Sequence, residues 1–141
     1  MNKGLIAKTT IDILVPITKV WDALVTPETI KKYMFGTEVI SDWEKGGPIT
    51  WNGVWKDKPY QDKGTILKIE PPKLLQYTHY SPLSGEKDIL ENYHTLTYEL
   101  ADMGGHTRVS LSQDNNADEE AKQHSLKMWE AMLEELKKAL E

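Results

Sequence analysis

Cysteine is absent from the 141 residues, which excludes disulfides, thiolate metal ligands and a cysteine nucleophile together. Arginine occurs once, as Arg108, among seventeen basic residues, and the formal net charge is −5. Arginine does most of the bidentate recognition of phosphates and guanine edges, so a nucleic-acid partner is not expected. No apolar run is long enough to cross a bilayer, and Lys3 and Lys8 interrupt the N-terminal segment before a signal-type apolar core can form. A cytoplasmic location without a membrane span is the expectation. Phenylalanine also occurs once, against five Trp and six Tyr. Trp and Tyr carry polar handles, which suit a pocket wall better than a wholly dry core. The length fits one domain over residues 1–141, large enough to bury a core without a disulfide or metal.

Thr9 to Val15 alternates, with Ile11, Ile13 and Val15 on one side, and predicts a half-buried strand. Pro16 ends it. Ile17, Trp21 and Leu24 then recur at helical spacing and predict a helix over Ile17 to Val25. A second helix starts at Pro27 with Thr26 as N-cap and fades near Tyr33 or Met34. From Gly36 the period becomes two. Strands are predicted over Thr37 to Trp43 and Ile49 to Trp55, with Gly53 marking a bulge or bend and Lys56 to Asp62 a loop. Gly64 to Glu70 and Leu74 to Tyr80 follow as strands around a Pro71-Pro72 corner, where the missing backbone donors are tolerated. Ser81 to Leu90 reads as a loop, and Asn92 to Leu100 with His106 to Ser112 as the last hairpin. Asp118 to Leu140 carries Ala121, Ser125, Met128, Trp129, Met132, Leu133, Leu136 and Leu140 on one stripe of a long helix. The order is β-αα-β6-α, an α+β chain in which successive strands pair into one antiparallel sheet.

Four stretches then carry a resemblance. They are Val15-Pro-Ile-Thr-Lys-Val-Trp-Asp-Ala-Leu24, Trp43-Glu-Lys-Gly-Gly-Pro-Ile49, Gly64-Thr-Ile-Leu-Lys-Ile-Glu-Pro-Pro-Lys-Leu-Leu75, and Thr95-Leu-Thr-Tyr-Glu-Leu100 with Gly105-His-Thr-Arg-Val-Ser-Leu111. In order and spacing the chain resembles domains related to the C-terminal part of the activator of Hsp90 ATPase, within the START-like, helix-grip or Bet v 1-like superfamily. The resemblance implies a seven-stranded curved antiparallel sheet wrapped around the C-terminal helix, two short helices between strands one and two, and a cavity between sheet and helix. It also implies that small hydrophobic ligands bind there in many relatives, while some relatives are cyclases or hydrolases. The separate domain with which the eukaryotic co-chaperone engages its partner is expected to be lacking, which makes chaperone contact the least expected partnership. His79 stands where the family commonly has tryptophan.

Strand parity places Ile49, Trp51 and Trp55, Leu75, Tyr77 and His79, His94, Leu96, Tyr98 and Leu100, and Thr107, Val109 and Leu111 toward the long helix. Met128, Trp129 and Met132 meet them from the helix. The expected ligand-binding set is Trp51, Trp55, Tyr77, His79, His94, Tyr98, Met128, Trp129 and Met132. Ordinary core packing is the alternative for each. For His79 and His94 the plain expectation is an imidazole satisfied by a tyrosine hydroxyl, because no carboxylate is expected beside either ring to orient it as a base. His106 and His124 complete no metal-ligand spacing, so neither a metal nor a cofactor is expected. Ser110 and Ser112 point outward, and Glu38, Asp42 and Glu44 read as a solvated edge strand. The leading expectation is a non-catalytic binding protein for a small hydrophobic or amphipathic molecule. The alternatives are a cyclase- or hydrolase-type enzyme using an inward His or Tyr, and a stress-response or chaperone-associated interaction module.

Overall fold

The computed structural model describes residues 4–82 and 85–141, and of Trp55 the backbone alone. Strand β1 (Leu5–Ile13) starts earlier than Thr9, because Ala7 continues the inward alternation. It stops at Ile13, whose carbonyl accepts from the Val15 N–H at 2.9 Å as the chain turns into Pro16. Helix α1 (Ile17–Val25) buries Val20, Trp21, Ala23 and Leu24. Helix α2 (Pro27–Tyr33) follows with Pro27 in its first turn. Thr26 occupies the N-cap position, but it contributes its carbonyl, which accepts from Thr29 and Ile30, and not its hydroxyl. Phe35 and Gly36 then take left-handed conformations (φ 56° and 85°), which turn the chain toward the sheet.

Strand β2 (Glu38–Ser41) is shorter than the alternation from Thr37 to Trp43 suggests, since Trp43 itself is left-handed at φ 57° and leaves the ladder. Strands β3 (Pro48–Trp55) and β4 (Lys58–Glu70) overturn the expected loop over Lys56 to Asp62. Only Lys56 and Asp57 form the connection, both at positive φ (50° and 66°), as a two-residue hairpin turn requires. Its twist matches that of the flanking strands, so pairing resumes at once. Gly53 marks no bulge, because the β3–β4 register is unbroken through it. It faces Tyr60 instead, and a Cβ there would lie 2.5 Å from the Tyr60 hydroxyl.

The Pro71-Pro72 corner, whose peptide bond is cis, leads into β5 (Leu74–His79). A single 3-10 turn at Leu90–Asn92 precedes β6 (His94–Asp102), and β7 runs from Thr107 to Asn116, beyond the expected end at Ser112. Helix α3 (Glu119–Leu140) is capped by the Asp118 carboxylate, which accepts from the Ala121 N–H at 2.8 Å. Part of the expected loop, Leu83 and Ser84, lies outside the described residues.

The seven strands form one antiparallel sheet in the order β1-β7-β6-β5-β4-β3-β2. Each strand from β2 to β7 pairs with its neighbour in sequence, and β1 returns to pair with β7. Trp129, Met132, Leu133 and Leu136 of α3 join one apolar cluster with Ile13, Val109, Leu111, Leu75 and Tyr77 of the sheet. The end of α3 is tied down where Lys137 Nζ donates to the Asp12 carbonyl at 2.8 Å and Glu141 accepts from the Leu14 N–H at 2.8 Å. This is a helix-grip fold. Among the described residues no helix is long and apolar enough to cross a membrane.

Candidate ligand-binding cavity

The inner face of the sheet alternates along every strand, so β3, β4, β5, β6 and β7 each send one or two side chains under the first half of α3. They do not fill the space. A cavity of about 510 Å³ remains, bounded by Trp51, Tyr60 and Asp62, by Tyr77 and His79, by His94, Leu96 and Gln113, and by His124, Met128, Trp129 and Met132 of α3. Met34, Phe35 and Thr37 form another side, and Ser81 and Ser125 complete the lining. Phe35 is 70% exposed and Met128 43% exposed, which places both at the mouth.

The floor is a chain of rings. Trp51 lies 5.1 Å from Tyr77 and 5.0 Å from His79 between centroids, the second contact edge-on, and Tyr77 lies 5.9 Å from Tyr98. Tyr77 donates to the Tyr98 hydroxyl at 3.2 Å. Burial pushes the Tyr98 hydroxyl up to about 12, and it pushes Tyr77 and Tyr33 well above the ordinary 10.0. These phenols stay neutral across the physiological range. Gly64 permits the close approach of β4 to β5: an added Cβ would sit 1.7 Å from the Thr78 carbonyl oxygen.

The two inward histidines face each other across β5 and β6, since His79 and His94 are register partners. His79 Nε2 is 2.9 Å from Asp62 Oδ2. His94 Nδ1 is 2.9 Å from the Asp114 carbonyl. Both partners accept, so each neutral ring must donate at that nitrogen and keep its lone pair on the other. Asp62 Oδ1 is buried and has no hydrogen-bond partner among the described residues. The roof is fixed by a second network. Trp129 Nε1 donates to Gln113 Oε1 at 2.6 Å, Gln113 Nε2 reaches Ser125 Oγ at 3.3 Å, and Ser125 donates to Asn116 Oδ1 at 2.8 Å. Asn116 donates in turn to the Leu5 carbonyl at 2.9 Å, joining α3, β7 and β1.

The profile of the family described as activator of Hsp90 ATPase homolog 1-like protein matches residues 14–141. The chain belongs to this family. The protein ChR145 from Cytophaga hutchinsonii, solved in solution, is 51% identical, with a TM-score of 0.86 over 98% of this chain and 94% of that one. The crystal structure of Ms6760 from Mycobacterium smegmatis shares the fold at 19% identity and a TM-score of 0.77, covering 97% and 91%. CalU16 from Micromonospora echinospora does so at 19% identity and a TM-score of 0.75, covering 96% and 83%. A search of functionally curated proteins finds no match.

Within this member of the Hsp90 ATPase activator-like family, the cavity gathers Trp51, Tyr77, His79, His94, Met128, Trp129 and Met132 of the expected set. Tyr98 lies elsewhere, on a separate crevice of about 10 Å³, and reaches the cavity only through Tyr77. The side chain of Trp55 lies outside the described residues. The expectation that neither imidazole has a carboxylate beside it is wrong for His79. Asp62 was hidden in the supposed loop, although Tyr60, Asp62, Gly64 and Ile66 alternate as a strand does. Nor does a tyrosine hydroxyl satisfy either histidine. Gln113 was missed because the last strand was ended at Ser112, four residues short of Asn116, and continuing the inward parity of Thr107, Val109 and Leu111 would have found it. His124 and Phe35 carry no such signal, since a helix flank and a left-handed turn place them.

Proposed function

We propose that the protein binds a small hydrophobic or amphipathic molecule between the sheet and α3, without catalysing a reaction. The observation that carries this reading is the open cavity of about 510 Å³ with an aromatic and methionine lining. It falls within the range of roughly 300–1,000 Å³ typical of small-molecule sites. Binding energy comes from apolar area removed from water, at about 25 cal/mol per Å². The flexible thioethers of Met128 and Met132 adapt the wall to the occupant's shape. Titration with a neutral naphthalene derivative, followed through the fluorescence of Trp51 and Trp129, is expected to saturate at one molecule per chain. Met128→Lys at the mouth should weaken binding by about tenfold with an unchanged melting temperature. A signal that stays linear to the solubility limit rejects the reading.

One observation favours a second reading, acid–base catalysis of the cyclase or hydrolase kind. Asp62 holds His79 in the way an orienting carboxylate holds a catalytic imidazole. That reading requires a turnover that disappears in His79→Ala while ligand binding persists. A chaperone-associated or stress-response role rests on family membership alone, and an unchanged Hsp90 ATPase rate in the presence of the protein removes it.

A further inference from the structure

The donors and charges around the cavity are unevenly distributed. The titratable groups on its wall are Tyr60 and Asp62 from β4, Tyr77 and His79 from β5, His94 from β6 and His124 from α3. No lysine or arginine lines it among the described residues, although the chain has seventeen basic side chains. An anionic head buried here would meet the Asp62 carboxylate without a fixed cation to offset it, at a substantial desolvation cost.

Several of the wall's donors are already engaged. The Trp129 N–H is taken by Gln113, the Tyr77 O–H by Tyr98 and the Ser125 O–H by Asn116. His79 spends its N–H on Asp62 and His94 spends its own on the Asp114 carbonyl. Acceptors remain: the second nitrogen of each imidazole, and the unpartnered Asp62 Oδ1. Beside them stand the rings of Trp51, Tyr77 and Trp129, whose faces attract cations.

We infer that the cavity selects an amphiphile whose polar head donates hydrogen bonds and carries no negative charge, a protonated amine being the best head. The inference rests on the ligand-binding reading and adds the chemistry of the head group. An ammonium supplies donors to the acceptors left on His79, His94 and Asp62, and its charge is opposite to that of Asp62. An alcohol supplies a donor without the charge. A carboxylate supplies neither.

Three probes with one tail separate these cases: 2-naphthylmethylamine, 2-naphthylmethanol and 2-naphthoate, each titrated calorimetrically into the intact chain. At about pH 8, where the amine is largely protonated and the acid fully ionised, the amine should bind most tightly and the carboxylate least, about tenfold or more apart. Asp62→Asn, checked for native fold by circular dichroism, should bring the amine down to the level of the alcohol. The His79→Gln, His94→Gln double variant puts amide donors beside the head, so the carboxylate should gain on the amine there.

A carboxylate that binds as tightly as the amine at about pH 8 overturns the inference. So does an amine preference that survives in folded Asp62→Asn, or, should Asp62→Asn not fold, a carboxylate that gains nothing in the double variant. If the alcohol binds and the three heads are not distinguished, this inference alone falls. If none of the three binds, the ligand-binding reading falls with it.

Discussion

The interior over the inner face of the sheet has two ends that are built alike and finish differently. At one, Leu24 of α1 and Ile30 and Tyr33 of α2 close over Val39, Ile49, Leu75 and Tyr98, and only about 10 Å³ is left. At the other, about 510 Å³ stays open beneath the first half of α3. Aromatic content does not separate them, because tyrosines and tryptophans line both. Cover does. The filled end has two helices over it, whereas the open end receives from that side only Met34, Phe35 and Thr37. Polar groups also collect at the open end, where His79, His94, Asp62 and Gln113 are held by hydrogen bonds. The division suggests that one end stabilises the fold and the other is free to accommodate a guest.

The largest test of that division is truncation at each end. Leu75→Ala, at the filled end, should cost about 2–5 kcal/mol in urea unfolding, because its neighbours cannot collapse into the void. Met128→Ala, at the mouth of the open end, should stay within about 0.5 kcal/mol. Equal losses at both would erase the distinction. Gly64→Ala ranks next: its Cβ would strike the Thr78 carbonyl, which is backbone and cannot swing aside. The expected loss is about 1–3 kcal/mol. Because β4 must then part from β5, the Asp62–His79 contact should loosen, visible as a change in the His79 imidazole NMR signals.

Gln113→Leu removes the acceptor of the Trp129 indole N–H and leaves that donor buried, for a loss of about 1–3 kcal/mol and a shifted tryptophan emission. An unchanged emission would mean that Trp129 is positioned by packing alone.

The smallest effect is electrostatic and lies outside both ends. The Arg108 guanidinium beside Asp12 holds that carboxyl below its ordinary 3.8, Lys63 and Tyr93 do the same for Asp88, and Lys137 and the Leu14 N–H lower Glu141. A carboxyl depressed in the folded state stabilises it above the unfolded value, and the benefit fades as pH falls through the folded value. Stability should therefore decline below about pH 4, and Asp12→Asn should flatten that slope. These groups are exposed, so the change is small. Cavity binding should be unaffected by this substitution, and a parallel loss would show that the two regions are coupled.

Local patterns were enough to reveal most of the architecture. Ile17, Trp21 and Leu24 mark α1 by their spacing, Ala121 to Leu140 mark α3, and the inward residues of β5 and β6 follow from alternation with a period of two. Part of the site was equally readable, because Trp51, Tyr77, His79 and His94 lie on strands whose parity is unambiguous. Asp62 was not, since Lys-Pro-Tyr-Gln-Asp-Lys looks like a loop until Lys56 and Asp57 adopt a turn that ordinary residues seldom take.

The chain's own order of residues thus decided which elements form, in what succession and with which faces inward, because those depend on neighbours one to four positions apart. Tertiary structure alone decided that Asp62 meets His79, that Gln113 holds Trp129, and that one end of the interior fills while the other stays open. Those outcomes depend on how far apart the helix and strands come to rest, a distance that many side chains set together and no single stretch encodes.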